Sequence, residues 1–130
     1  MADSKVLAPG QIGWIDLTVP DAVAVRDFYR HVTGWTASGF DMGGYEDFCM
    51  NPPDASTPVA GICHARGSNA GLPPVWLIYI MVTDLDESIR RCTERGGKVL
   101  KPATNQGNQG RYCIIEDPAG AVAGLYQSLS

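Results

Sequence analysis

The chain has 130 residues, 45% of them hydrophobic and 18% charged, which is a globular composition with room for one shared core, because independent domains usually need roughly 100 residues each. Its net charge of −4 leaves no positive surplus to neutralise a nucleic acid or an anionic bilayer. The longest strongly apolar run, residues 75–82, falls far short of the roughly 20 residues of a membrane span.

Residues 12–19 alternate, with Ile15, Leu17 and Val19 on one face and Trp14, Asp16 and Thr18 on the other, which predicts a half-buried strand. Pro20 ends it. Asp21 is placed to cap a helix, its carboxylate accepting from the free N–H groups of the first turn. Ala22, Val25, Phe28, Tyr29 and Val32 follow at helical spacing as the expected apolar stripe, and Gly34 supplies the stop. Short strands are predicted near residues 35–39, 45–50 and 59–65, separated by Gly43-Gly44 and by the turn-forming residues 51–54.

Beyond a linker at residues 66–74, a strand over 75–82 leads to Asp84 and Glu87, the capping box of a second helix in its Asp form. Leu85, Ile89 and Cys92 make the buried stripe, while Glu87, Arg90, Arg91, Glu94 and Arg95 face water. Strands over 97–101, 111–116 and 121–126 complete the chain, with Asp117-Pro118-Ala119-Gly120 as a turn. The cysteines Cys49, Cys63, Cys92 and Cys113 form no Cys-x-x-Cys pair, so reduced thiols are expected rather than a zinc ribbon or a disulfide framework. Residues 1–11 lack the apolar core of a signal peptide, and a cytoplasmic protein is expected.

The two halves repeat. Val19 and Val82, Asp21 and Asp84, Gly34 and Gly97, Gly44 and Gly107, and Asp54 and Asp117 are identical pairs at one spacing, 63 positions (82 − 19). The same offset carries Val59-Ala60-Gly61-Ile62 onto Val122-Ala123-Gly124-Leu125. The chain is therefore read as a duplication, with module one at about residues 11–65 and module two at about 75–127. Modules of about 60 residues are small for isolated cores, so they are expected to bury their faces against each other or against a second chain, as a homodimer.

This tandem βαβββ pattern has Gly13-Trp14-Ile15-Asp16-Leu17-Thr18-Val19-Pro20-Asp21 leading to Phe28-Tyr29 and Gly34-Trp35. With Asp84-x-Asp86, Gly96-Gly97 and Asp117-Pro118-x-Gly120 in the second half, it resembles the vicinal oxygen chelate superfamily of glyoxalase I, bleomycin-resistance proteins and extradiol dioxygenases. The resemblance covers residues 11–127. It implies an α+β fold in which the modules form a cupped eight-stranded mixed sheet, whose concave face holds a ligand and, in the enzymes, a divalent metal.

The family's metal ligands come from the first and last strand of each module. Carried over by position, they fall on Trp14, Gly61, Leu77 and Gly124, none of which can bind a metal through its side chain. The two histidines, His31 and His64, do not replace them. No family-type metal centre and no other cofactor is expected; a displaced site from Asp16, His64 and Glu116 is the alternative.

What the resemblance leaves is a cup lined by Trp14, Asp16, Leu77, Tyr79, Met81 and Tyr126, with glycines leaving volume at the vacated positions, and a small organic molecule as the expected partner. The competing reading has the same side chains fill the cup as core. Asp16, a lone carboxylate in an apolar strand, is the foremost candidate base or cation partner; a hydrogen bond accepted from its repeat counterpart Tyr79, or from backbone, is its structural alternative. His64 is the second candidate acid or base, unless it simply sits at a strand edge near Arg66. The expected function is metal-free binding of an organic ligand in the cup between the modules. The alternatives are a metal-dependent lyase, isomerase or dioxygenase with a non-standard site, and a dimerising structural module with a filled cup.

Overall fold

The alternating runs and capped helices become eight strands and two helices in the computed structural model, which describes residues 7–129. Of the N-terminal stretch read for a signal peptide, residues 1–6 lie outside the described part. The elements are β1 (Ile12–Val19), α1 (Ala22–Thr33), β2 (Thr36–Asp41), β3 (Glu46–Asn51), β4 (Ala60–His64), β5 (Trp76–Met81), α2 (Leu85–Glu94), β6 (Lys98–Gln106), β7 (Gly110–Glu116) and β8 (Val122–Ser128). The tandem βαβββ organisation of an α+β fold is thus observed. No described helix is long and apolar enough to cross a membrane. Two compact units form, one of residues 14–76 and one of residues 77–129 together with 7–13.

In the first unit the strands run in the order β2-β3-β4-β1. β1 is parallel to β4, with Asp16 opposite Gly61 and Thr18 opposite Cys63. β3 is antiparallel to its neighbours, setting Cys49 opposite both Gly61 and Ser38. The period of two then sorts the faces: Leu17, Val19, Phe48, Met50 and Ile62 are buried on the helix side with Ala22, while Trp14, Asp16, Thr18, Asp47, Cys49 and Cys63 share the other side. Asp21 caps α1 by accepting from Ala24 N at 3.0 Å, and Gly34 closes it at φ 79°, a left-handed value that favours glycine.

The packed stripe of α1 is narrower than its sequence suggests. Val25 and Tyr29 join Ala22 against the core, but Phe28 and Val32 are 57% and 63% exposed. Phe28 is one residue from Tyr29, about 100° around the helix, and only its edge meets the Tyr29 ring, at 5.1 Å. Trp76, the first residue of β5, completes this core. Its indole Nε1 donates to the Tyr29 hydroxyl at 3.2 Å, and its ring stands edge-on to Trp35 at 5.9 Å.

In the second unit the order is β5-β8-β7-β6. β5 is parallel to β8, with Tyr79 opposite Gly124; β7 is antiparallel to β8, with Tyr112 opposite Tyr126. Asp84 caps α2 by accepting from Glu87 N at 3.2 Å, and Leu85, Cys113 and Leu125 centre a core that Ile80, Val82, Ile89 and Ile115 extend. β6 runs several residues past its predicted end, because Pro102, which reads as a strand breaker, is absorbed by register shifts either side of Lys101. The segment before β1 belongs here too, since Gly10 N donates to Met81 O and Met81 N to Gln11 O. A single 3-10 turn, Gly67–Asn69, interrupts the linker.

Candidate functional site

On the face of the first unit away from α1, Trp14 and Asp16 are neighbours on β1 two residues apart, and the Trp14 indole Nε1 donates to Asp16 Oδ1 at 2.6 Å. Within the first unit the Trp14 indole is thus the side-chain donor to Asp16. A Cβ built on Gly61 would run into the same Oδ1, so the carboxyl lies across the glycine. The second unit repeats the arrangement, because a Cβ on Gly124 would run into the Tyr79 ring. The expectation that these glycines leave open volume is therefore corrected: a carboxyl fills the space in one module and a phenol in the other. Burial pushes the Asp16 carboxyl up from 3.8 to about 6, nearby Asp47 adds to the rise, and the Trp14 hydrogen bond opposes it.

β3 brings further polar groups to this face, alternating Asp47, Cys49 and Asn51 with the core residues Phe48 and Met50. Asp47 accepts from His64 N at 2.8 Å and faces His64 Nδ1 at 3.3 Å. His64 is thus held by Asp47 and by the edge of the Tyr45 ring, and the Arg66 guanidinium lies over Tyr45 at 4.1 Å rather than on His64. Asn51 donates from Nδ2 to Ser38 Oγ at 3.3 Å, while its Oδ1 is buried without a partner. Burial and the nearby Asp16 carboxyl push the Cys49 and Cys63 thiols up, and burial raises Cys113 to about 11, so these cysteines stay protonated and unreactive at neutral pH. Asp47 and Asn51 escaped the sequence reading, although the alternation along β3 carried the signal.

The corresponding face of the second unit is mostly core. Leu77 has no exposed surface, and Met81 and Tyr126 are buried; they shape the face from beneath. Tyr79 is half-buried, with its ring 6.2 Å from that of Tyr112. Buried Lys101 donates from Nζ to the Tyr112 hydroxyl at 2.5 Å, a pairing the sequence reading missed. A separate open cleft of about 520 Å³ lies at the start of α2, lined by Pro9, Gly10, Thr83, Asp84 and Arg91 among others. Met81 is the one expected ligand residue it includes.

The residues do not fit the metal site that the resemblance implies. In the first unit its positions hold Trp14 and a glycine overlain by Asp16, and in the second Leu77 and a glycine overlain by Tyr79. Among the described residues, no three His, Cys, Asp or Glu side chains are grouped to hold a metal ion. What the first unit presents is an aromatic ring, a desolvated carboxyl and hydrogen-bonding groups on one sheet face. That set can bind an organic group or exchange a proton with it near pH 6.

Residues 11–123 match the model of the Glyoxalase/Bleomycin resistance protein/Dioxygenase superfamily. CFP32 of Mycobacterium tuberculosis, whose name marks it as a candidate glyoxylase, is 34% identical over 123 residues, covering 92% of this chain and 46% of that protein. The anthracycline biosynthesis protein DnrV of Streptomyces peucetius is 30% identical over 131 residues, covering 92% and 48%. The chain spans about half the length of the curated relatives it matches. The crystal structure of methylmalonyl-CoA epimerase from Mycobacterium tuberculosis superposes with a TM-score of 0.56 at 16% identity, covering 100% of this chain and 94% of that one; at that identity the likeness is one of fold.

Proposed function

The chain belongs to the Glyoxalase/Bleomycin resistance protein/Dioxygenase superfamily, and from that premise we propose that it binds a small organic molecule without the family's metal. The ligand lies against the Trp14 indole and the Asp16 carboxyl. In the second unit, taken by itself, Tyr79 is the partly exposed member of the proposed binding residues, with Leu77, Met81 and Tyr126 buried. The observation that carries this reading is Asp16 lying over Gly61: where the family places a metal ligand, this chain places a carboxyl already bonded to an aromatic side chain. Trp14 and Asp16 are both only partly buried, as binding groups must be, and sites for organic ligands combine apolar walls with few polar groups.

The relatives' names refer to a glyoxylase, to anthracycline biosynthesis and to a CoA-ester epimerase. The three names do not agree on a substrate, so the ligand is stated as a class. We further place the protein in the cytoplasm, because all four cysteines are free thiols, which cell fractionation would check, and we take it to act as a homodimer.

A thermal-shift screen against aromatic small molecules tests the binding. Hits are expected to raise Tm, since a ligand that binds only the folded state stabilises it, and Trp14→Ala is expected to abolish the shift while leaving the circular dichroism unchanged. The reading fails if no compound shifts Tm, or if Trp14→Ala responds like the parent chain.

A further inference from the structure

The face that carries Trp14 is rich in acceptors and poor in cations. Its strand positions bring together the carboxyls Asp16 and Asp47, the Asn51 amide and the thiols Cys49 and Cys63, and none of its alternating positions is Lys, Arg or His. Of the basic side chains around it, His64 faces Asp47, one of these two carboxyls, while Arg66 covers the Tyr45 ring and Arg26 covers the Phe48 ring at 4.6 Å, which leaves Asp16 as the carboxyl without a basic partner. Among the described residues Asp16 has one hydrogen-bond donor, Trp14, and no ion-pair partner.

A second, independent observation points the same way. Asn51, with 8% of its surface exposed, has a buried Oδ1 that no donor satisfies, and an unmet buried acceptor costs about 1–3 kcal/mol. Its Nδ2 donates to Ser38 on β2, so Oδ1 is the atom of this side chain still lacking a partner.

We infer that this face receives a protonated amine, the ligand's ammonium group donating to Asp16 beside the Trp14 ring, with Asn51 Oδ1 as a further acceptor for its donors. The inference rests on the ligand-binding reading above and adds the charge of the ligand. An aromatic face next to a carboxylate attracts an ammonium on both counts, and an arriving cation relieves the repulsion between Asp16 and Asp47.

Three probes that share one ring separate the charge from the ring: phenethylamine, 2-phenylethanol and phenylacetate, titrated calorimetrically at pH 8. Phenethylamine is expected to bind about tenfold or more tighter than the alcohol, and phenylacetate weakest of the three. Asp16→Asn is expected to bring amine and alcohol to within about twofold of each other. Should that variant not fold, Asn51→Ala reads the same face and is expected to lose amine affinity several-fold. The inference is overturned if the alcohol or the acetate binds as tightly as the amine, or if Asp16→Asn keeps the preference. Binding without charge preference, or no binding by any of the three, refutes the inference alone, and the ligand-binding reading falls with it only where the thermal-shift screen also yields no compound.

Discussion

Asp16 sits on a polar sheet face, partly exposed to solvent but largely stripped of water, with Asp47 nearby. Its carboxyl titrates at about 6 in the folded chain against 3.8 ordinarily, so between about pH 4 and pH 6 the folded state holds a proton that the unfolded state has lost. Stability is therefore highest below that window and falls as the pH rises through 6, the reverse of a salt-bridged aspartate. A shift of about two units corresponds to roughly 3 kcal/mol, and partial exposure reduces this to about 1–3 kcal/mol. Asp16→Asn is predicted to raise unfolding free energy by that amount at pH 8 and to leave it nearly unchanged at pH 4, as read by urea denaturation. A loss of stability at pH 8 would contradict the burial argument. Alternation along β1 was enough to put Trp14 and Asp16 on one face, but not to show that the indole would turn onto the carboxyl, because that depends on side-chain rotamers rather than on strand period.

The parallel pairs β1/β4 and β5/β8 carry the clearest imprint of the duplication. Position 16 repeats as 79 and position 61 as 124, and in both modules the first-strand side chain lies over the last-strand glycine. The two modules thus share one steric solution with different chemistry. Gly61→Ala and Gly124→Ala are each predicted to cost about 1–3 kcal/mol, the usual size of overpacking. Gly71→Ala, whose Cβ would meet open space, is predicted to change stability by less than about 0.5 kcal/mol. Chemical denaturation of the three variants decides this, and a Gly61→Ala as stable as the parent chain would refute the close approach. Most elements were legible because their ends are chemically marked, by Asp21 and Asp84 at the caps and Gly34 at a stop. The misreadings have local causes: Pro102 masks the length of β6, and the spacing of Phe28 and Val32 fits a helix without fixing how wide a stripe the sheet covers.

At the scale of the whole molecule, a module repeated at 63 residues gives a chain about half the length of its curated relatives. Modules of about 60 residues are small for isolated cores, and light scattering of this chain in solution is expected to return twice its 13.9 kDa mass; a monomeric mass would refute the proposed homodimer. The family itself was readable from the order and spacing of marked turns, whereas the site was readable only in part. The resemblance told which positions had lost their metal ligands, but what occupies the space over the glycines depends on how Asp16 and Tyr79 fold across them. The central claim is that this member of the superfamily holds an organic ligand without a metal. Calorimetric titration of an aromatic compound selected by the Trp14-dependent screen, before and after exhaustive EDTA treatment, tests it most directly. The account predicts the same affinity in both titrations; binding that disappears with the chelator and returns with a divalent metal would contradict it.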